Sequence, residues 1–289
     1  MTDQPVPDRA ARRRLLAAAA AAGLPRLTHA QDAAPARWRL GLAPYLSPAA
    51  LLEVFRPLRE QLSTALGQPV EVFSARDFAS LATAVRQGAY ELALLPAHVG
   101  RLALADWGWL PLAATVRATP VLVLVRNDGP VRSAAELRGR KVGMLDPLSL
   151  TAAVGTHWLR QQGLRPGEDV TLQSLPSINS ALFALDRDEV GAVVAAASQL
   201  RSLPPATPRS ERALAEVHDI PGPVYLARPG LAPDQLARLR TALLAFRPDP
   251  AHPTTAANTA LTPLSAADLE RVEPYAAVAR QLLATPPRR

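Results

Sequence analysis

The residues with the clearest chemistry form a short polar segment between a strand-like and a helix-like stretch. Lys141–Leu145 is predicted as a strand that ends in an Asp146-Pro147 turn. Ser149 and Thr151 then open a predicted helix. A helix N-terminus offers unpaired backbone N–H groups and the positive end of the dipole, which suits phosphate, phosphonate, sulfonate or carboxylate oxygens. The alternative is an ordinary N-cap, at which Ser and Thr are common.

The sequence offers little for catalysis. It contains no cysteine, which excludes disulfides, Cys-ligated zinc and a Cys nucleophile. Its five histidines form no H-x-x-x-H pair, and G-x-S-x-G, G-x-G-x-x-G and phosphate-loop patterns are absent. Asp186, Asp188 and Glu189 are interpreted as a solvated helix end rather than a metal site. The residues therefore argue against an enzyme, and no metal or cofactor is predicted.

Composition favours a folded protein of two domains or of one large domain. The chain has 289 residues, 48% hydrophobic and 20% charged, which is enough apolar material for a core. The net charge is +7, but no basic run with interleaved aromatics occurs, so nucleic acid is not the predicted partner.

Residues 1–30 are predicted to be an export signal. Four arginines between positions 9 and 14 precede an apolar run of ten residues, Leu15 to Leu24. Thr28-His29-Ala30 supplies small residues at −1 and −3 of a cleavage site before Gln31. The string Arg12-Arg13-Arg14-Leu15-Leu16 resembles a twin-arginine signal. The alternative is a basic amphipathic helix of a cytosolic protein; export without a lipid anchor predicts the periplasm.

The rest of the chain alternates strand-like and helix-like segments, which predicts an α/β fold with largely parallel sheets. Ala49–Leu66 has helical periodicity and Ser265–Leu283 is predicted as a final helix. Residues 202–212 and 249–263 are Pro-rich and are predicted as loops.

The sequence resembles the phosphate/phosphite/phosphonate-binding proteins of ABC importers. The string D-P-x-S-x-T at Asp146–Thr151 follows A-x-E-L-R-G-R-K-V-G at Ala134–Gly143. Three further pieces agree in order and spacing, namely Pro57–Leu81, Ala84–Val99 and Thr119–Gly139. The resemblance covers about residues 38 to 245, and it is based on the order and spacing of these pieces rather than on any one of them.

This resemblance implies a two-lobed periplasmic binding fold of type 2, with a ligand cleft between mixed, mostly parallel sheets. The first lobe is expected at 36–121 plus 222–289 and the second at 122–221. The expected crossings between the lobes lie near Val121–Arg126 and Ile220–Val224.

The resemblance also implies ligand-binding residues beyond Ser149 and Thr151. Tyr45 follows the first strand, where the family often has an aromatic or hydroxyl residue. His98 is the nearest polar group where the family carries a tyrosine, and Thr119 precedes a crossing strand. Asn179 stands where the family commonly has a histidine. The alternatives are a packed loop aromatic for Tyr45, a structural histidine for His98 and a turn residue for Thr119.

The sequence departs from the family where carboxylates would bind an aminoalkyl group. Gly191 and Ala195-Ala196-Ala197 replace those acidic residues, which argues against aminoalkylphosphonates. The resulting prediction is a monomeric periplasmic solute-binding protein that captures a small oxyanion and hands it to an inner-membrane permease. The alternatives are a ligand sensor for a signalling kinase, a binder of a non-phosphorus organic anion, and an enzyme on a similar scaffold.

Overall fold

The computed structural model describes residues 37–44, 48–116, 119–201, 203–204, 209–249 and 258–284. Residues 37–289 form one compact unit. The predicted export signal and Tyr45 lie outside the described residues. Within the described ranges, no helix combines the length and the apolar character that a membrane crossing requires.

Strands and helices alternate along the chain, as the sequence predicts. The strands are β1 Trp38–Leu42, β2 Val70–Ser74, β3 Leu92–Leu95, β4 Leu110–Thr115, β5 Val121–Arg126, β6 Lys141–Met144, β7 Thr171–Ser174, β8 Ala192–Ala196, β9 Glu211–Val217, β10 Val224–Ala227 and β11 Leu261–Pro263. The helices are α1 Pro48–Val54, α2 Arg56–Leu66, α3 Phe78–Arg86, α4 Ala97–Trp107, α5 Leu150–Gln161, α6 Ile178–Asp186, α7 Ala197–Arg201, α8 Pro233–Ala245, α9 Ala266–Glu270 and α10 Glu273–Ala284. A 3₁₀ turn covers Ala134–Leu137.

The strands form two mixed sheets. The first has the order β11-β4-β10-β3-β1-β2 and the second the order β7-β6-β8-β5-β9. β1 pairs in parallel with β2 and β3, and β6 pairs in parallel with β7 and β8. The other ladders are antiparallel and involve β4, β5, β9, β10 and β11. Antiparallel pairing is thus more extensive than the sequence suggests, because the strands next to the crossings run back against their neighbours.

The chain crosses between the sheets twice. It leaves the first sheet after β4, enters the second at β5, and returns between β9 and β10. Each sheet is covered on both faces by helices, so its central strands are buried. We call the first sheet with α1–α4 and α8–α10 the first lobe, and the second sheet with α5–α7 the second lobe.

Two long helices predicted from periodicity are each divided in the structure. The segment 49–66 forms α1 and α2, with a break at Phe55, and the segment 265–283 forms α9 and α10. Pro57 and Pro274 cause both breaks, because proline has no N–H to donate and its ring clashes with the carbonyl four residues earlier. Each proline is the second residue of the helix that follows, where no intrahelical donor is needed.

Two edge strands lie in segments that the sequence predicts as loops. β9 begins inside the predicted loop 202–212, and β11 lies inside the predicted loop 249–263. β9 has the sequence ERALAEV, and Ala and Glu are depleted in strands. Its pairing with β5 comes from the sheet rather than from local propensity.

Glycines allow two helices to approach their sheets closely. A Cβ atom at Gly155 of α5 would lie 2.6 Å from a methyl carbon of Val194, and one at Gly100 of α4 would lie 2.4 Å from Val224. Both distances are far below van der Waals contact. These glycines therefore set how near α4 and α5 lie to the strands beneath them.

We predict that Gly155→Ala destabilises the chain by about 1–3 kcal/mol through overpacking, although alanine favours helix by about 1 kcal/mol. Chemical denaturation of the variant would measure this. In a Val194→Ala background the methyl groups that clash are gone, so Gly155→Ala should become neutral or stabilising. An equal loss in both backgrounds would show that the Val194 contact is not the cause.

Candidate functional site

The loop between β6 and α5 has the hydrogen bonding of a well-formed helix start. Asp146 accepts a bond from Leu148 N through its Oδ1 atom (2.8 Å). The Ser149 Oγ atom caps α5 by accepting from Ala152 N (3.1 Å). The N–H groups of Leu150 and Thr151 form no hydrogen bond with any part of the chain that the structure describes. This end of α5 thus keeps two free donors and carries no capping carboxylate.

The same loop inserts into the first lobe. The Leu148 side chain is 7% exposed and belongs to the buried cluster that contains Phe78 and Val99. Asp146 Oδ2 accepts a bond from Phe78 N at the start of α3 (3.4 Å). A loop of the second lobe is therefore packed into the first, and the two lobes are in contact in this conformation.

His98 makes the third contact with this loop. It lies in the first turn of α4, directly after β3, and its Nε2 atom is 3.1 Å from the Leu148 carbonyl oxygen. Since a carbonyl oxygen only accepts, Nε2 carries the proton and donates. Burial lowers the pKa of His98 to about 4, and the bond to Leu148 offsets this only in part. The imidazole is therefore neutral near pH 7.

Helix α10 also joins the two lobes. It packs against α4 of the first lobe and α5 of the second. Tyr275 of α10 and His157 of α5 meet edge to face, with ring centroids 5.4 Å apart. Glu273 of α10 pairs with Arg101 of α4 and with Arg280 of its own helix, and Arg280 also pairs with Asp106 of α4, which fixes α10 to α4. Burial alone would raise the pKa of Glu273, but the bonds from these arginines outweigh it and the pKa is lowered.

The other predicted ligand residues take different positions. Thr151 is half-buried in the first turn of α5, next to the free N–H groups. Thr119 is half-buried in the first crossing between the sheets. Asn179 is exposed near the start of α6 and lines a surface hollow of about 480 Å³ with Phe183 and Glu189. The structure thus brings Ser149, Thr151 and His98 to one loop, while Asn179 borders a separate hollow.

The N-terminus of α3 contrasts with that of α5. Asp77 caps α3 by accepting from Ser80 N (2.7 Å), and the bonds from Ser80 hold the pKa of Asp77 below its ordinary value. Asp146 adds a second carboxylate at the same helix end. The same Asp146 carboxylate also accepts from Leu148 N just before the α5 cap, whereas Leu150 N and Thr151 N have no partner among the described residues. The described residues contain no group of three or more His, Asp or Glu side chains placed to hold a metal ion.

Asp146 and Leu148 have roles in the lobe contact that the sequence analysis did not predict. Their partners, Phe78 and His98, lie 68 and 50 residues away in the chain. The one available signal was Leu148 itself, an apolar residue in an otherwise polar loop. Local patterns could place the loop at a helix start but could not identify what it contacts.

The fold and the loop geometry together define a two-lobed α/β binding protein. A family model described as "ABC transporter, phosphonate, periplasmic substrate-binding protein" matches residues 40–272. The chain belongs to this family, which confirms the resemblance in the sequence. It is a periplasmic substrate-binding component of an ABC transporter for phosphonate-like ligands.

Solved structures share the fold at low sequence identity. XAC2383 from Xanthomonas citri bound to chloride ion is 20% identical, with a TM-score of 0.71 over 85% of this chain and 98% of that one. PhnD1 from Prochlorococcus marinus in complex with methylphosphonate is 12% identical, with a TM-score of 0.66 over 85% and 98%.

The periplasmic aliphatic sulphonate binding protein SsuA from Escherichia coli is 16% identical, with a TM-score of 0.59 over 88% and 89%. No curated protein matches the chain. These similarities confirm the type 2 binding fold, and the neighbours include a sulfonate binder as well as a phosphonate binder.

We predict that Ser149→Ala destabilises the chain by about 1 kcal/mol, because Ala152 N loses its cap. Ser149→Asp should retain nearly full stability, since aspartate caps a helix as well as serine does. Thermal or urea unfolding of the two variants would measure both effects. Equal stability of Ser149→Ala and the parent chain would show that the cap contributes nothing.

Proposed function

We propose that this chain captures a small oxyanion of the phosphonate, phosphite or phosphate class between its lobes and presents it to an ABC permease. The observation that carries the proposal is the start of α5, where the free N–H groups of Leu150 and Thr151 adjoin the hydroxyls of Ser149 and Thr151. These donors can bind anion oxygens without any charged side chain. Tyr45, Thr119 and Asn179 are proposed to complete the site.

The proposed lobes are 36–121 plus 222–289 and 122–221, with residues 1–30 as the export signal. The contacts of the Asp146–Ser149 loop with the first lobe support a capture mechanism in which the lobes close on the anion. An anion held at the start of α5 touches the first lobe only when the lobes meet, so it binds the closed form better and shifts the population toward it. The permease then recognises the closed form of a monomer.

Calorimetric titration with methylphosphonate, phosphite, phosphate and ethanesulfonate tests this function. We expect binding of at least one phosphorus oxyanion in the micromolar range, about −8 kcal/mol. If ethanesulfonate binds and none of the phosphorus anions does, the result would favour the alternative that the chain binds a non-phosphorus organic anion. No binding by any of them would contradict the proposal.

Two variants test the site itself. Ser149→Asp keeps the helix cap but places a carboxylate beside the free N–H groups, so we expect binding to be lost while the melting temperature is retained. Thr151→Val removes one hydroxyl donor and should weaken binding about tenfold or more, as expected for a hydrogen bond to a charged group.

Thr171→Val, on the exposed edge strand β7, is the matched control for Thr151→Val and should leave binding unchanged. Equal affinities for Thr151→Val and Thr171→Val would place the anion elsewhere.

A further inference from the structure

His98 has no room for a ligand in this conformation. Its side chain is 0% exposed and its Nδ1 atom is buried without a hydrogen-bond partner. No water-sized space therefore adjoins the ring, and an anion oxygen cannot contact it. Its remaining polar contact is the bond to the Leu148 carbonyl, one residue before the cap of α5. His98 can thus influence an anion at α5 only through the position of this loop.

The surroundings of His98 offer no partner for a positive charge. The elements packed on α4 and the inserted loop carry these charged or titratable side chains: Asp77 and Arg86 on α3, Asp268 and Glu270 on α9, Glu273, Tyr275 and Arg280 on α10, Tyr225 on β10 and Asp146 in the loop. Arg101 and Asp106 lie on α4 itself. None of the described groups bonds to Nδ1.

The acidic groups of α10 and the inserted loop that we single out are already engaged, and no charged group shifts the pKa of His98. Glu273 pairs with Arg101 and Arg280. Asp146 accepts from Phe78 N and Leu148 N. Tyr225 belongs to the cluster on the opposite face of the first sheet. A protonated imidazole would therefore bury a charge without a counter-ion and an Nδ1–H without an acceptor.

We propose that His98 is a positioning residue for capture: its neutral imidazole holds the Asp146–Ser149 loop in the first lobe, and closure of the lobes requires His98 to lose its proton. Insofar as closure serves ligand capture, the proposal rests on the proposed function. The lobe contact itself is independent of which anion binds.

The sign of the pH effect follows from proton linkage. Histidine exposed in an open form has an ordinary pKa of about 6.5, while burial lowers the pKa of His98 to about 4 in the closed form. The closed form binds fewer protons, so acid favours opening. From these two values the closed-to-open ratio falls about tenfold between about pH 7.5 and about pH 5.5.

The distance between the lobes measures this ratio directly. Because the chain has no cysteine, Ala79→Cys on α3 and Ser198→Cys on α7 give two unique sites for spin labels, both exposed. Distances would be recorded on the full chain by pulsed electron resonance across this pH range, alone and with methylphosphonate, phosphite, phosphate or ethanesulfonate.

Two histidine variants identify which histidine causes the pH dependence of lobe closure. His98→Gln keeps an N–H donor for the Leu148 carbonyl but cannot be protonated, so its closed-to-open ratio should not change with pH. His157→Gln removes the other histidine at the lobe contact and should retain the tenfold drop. The loss of the drop in His157→Gln, or its persistence in His98→Gln, would overturn the proposal.

A second measurement needs no variant. Nitrogen-15 NMR of histidine-labelled chain should show one imidazole that is protonated at Nε2 only and titrates far below the ordinary histidine pKa in the closed form. A buried imidazole protonated at Nδ1, or the absence of any closed population at about pH 7.5 with or without an anion, would also contradict the proposal. If the pH-dependent closure is present but no anion shifts it, the proposed ligand class fails and the role of His98 stands.

Discussion

The insertion of the Asp146–Ser149 loop into the first lobe is the contact on which the arrangement of the site depends. Leu148 joins a core built by the other sheet, and its carbonyl accepts from His98. Both interactions exist only when the lobes meet. The free N–H groups of α5 begin two residues later, so the contact that closes the lobes also sets where an anion would be held.

The two helix starts at this junction differ in the groups that accept from their first N–H donors. Asp77 and Asp146 supply carboxylates to the N-terminus of α3. Ser149 supplies a neutral cap to α5 and leaves two N–H groups free. The dipoles of α3 and α5 both favour anions at their N-termini, but at α3 two of the chain's own carboxylates accept from the first N–H groups. Leu150 N and Thr151 N of α5 are therefore the donors that we propose for an external anion.

Most of the fold follows from local patterns in the sequence. Alternating strands and helices, the turn at Asp146 and the Ser149 cap could all be predicted, because each depends on residues near one another in the chain. Edge strand β9 could not, because its pairing with β5 overrides a sequence with weak strand propensity. Pro57 is visible in the sequence as a helix breaker, but the helical periodicity of the residues around it favoured the prediction of one continuous helix.

The sequence predicted only those site residues whose role depends on their neighbours in the chain. Ser149 and Thr151 stand at a recognisable helix start, whereas the role of His98 depends on a partner 50 residues away. The family resemblance suggested a ligand contact for His98. The structure instead has the ring buried against Leu148, which no spacing rule would reveal.

The proposed anion site at the start of α5 can be tested by a crystal structure of the chain grown with methylphosphonate. We predict closed lobes and a phosphonate oxygen within about 3 Å of Leu150 N, Thr151 N and the Thr151 hydroxyl, with His98 Nε2 still on the Leu148 carbonyl. Bound methylphosphonate with no oxygen near Leu150 N or Thr151 N would contradict this placement.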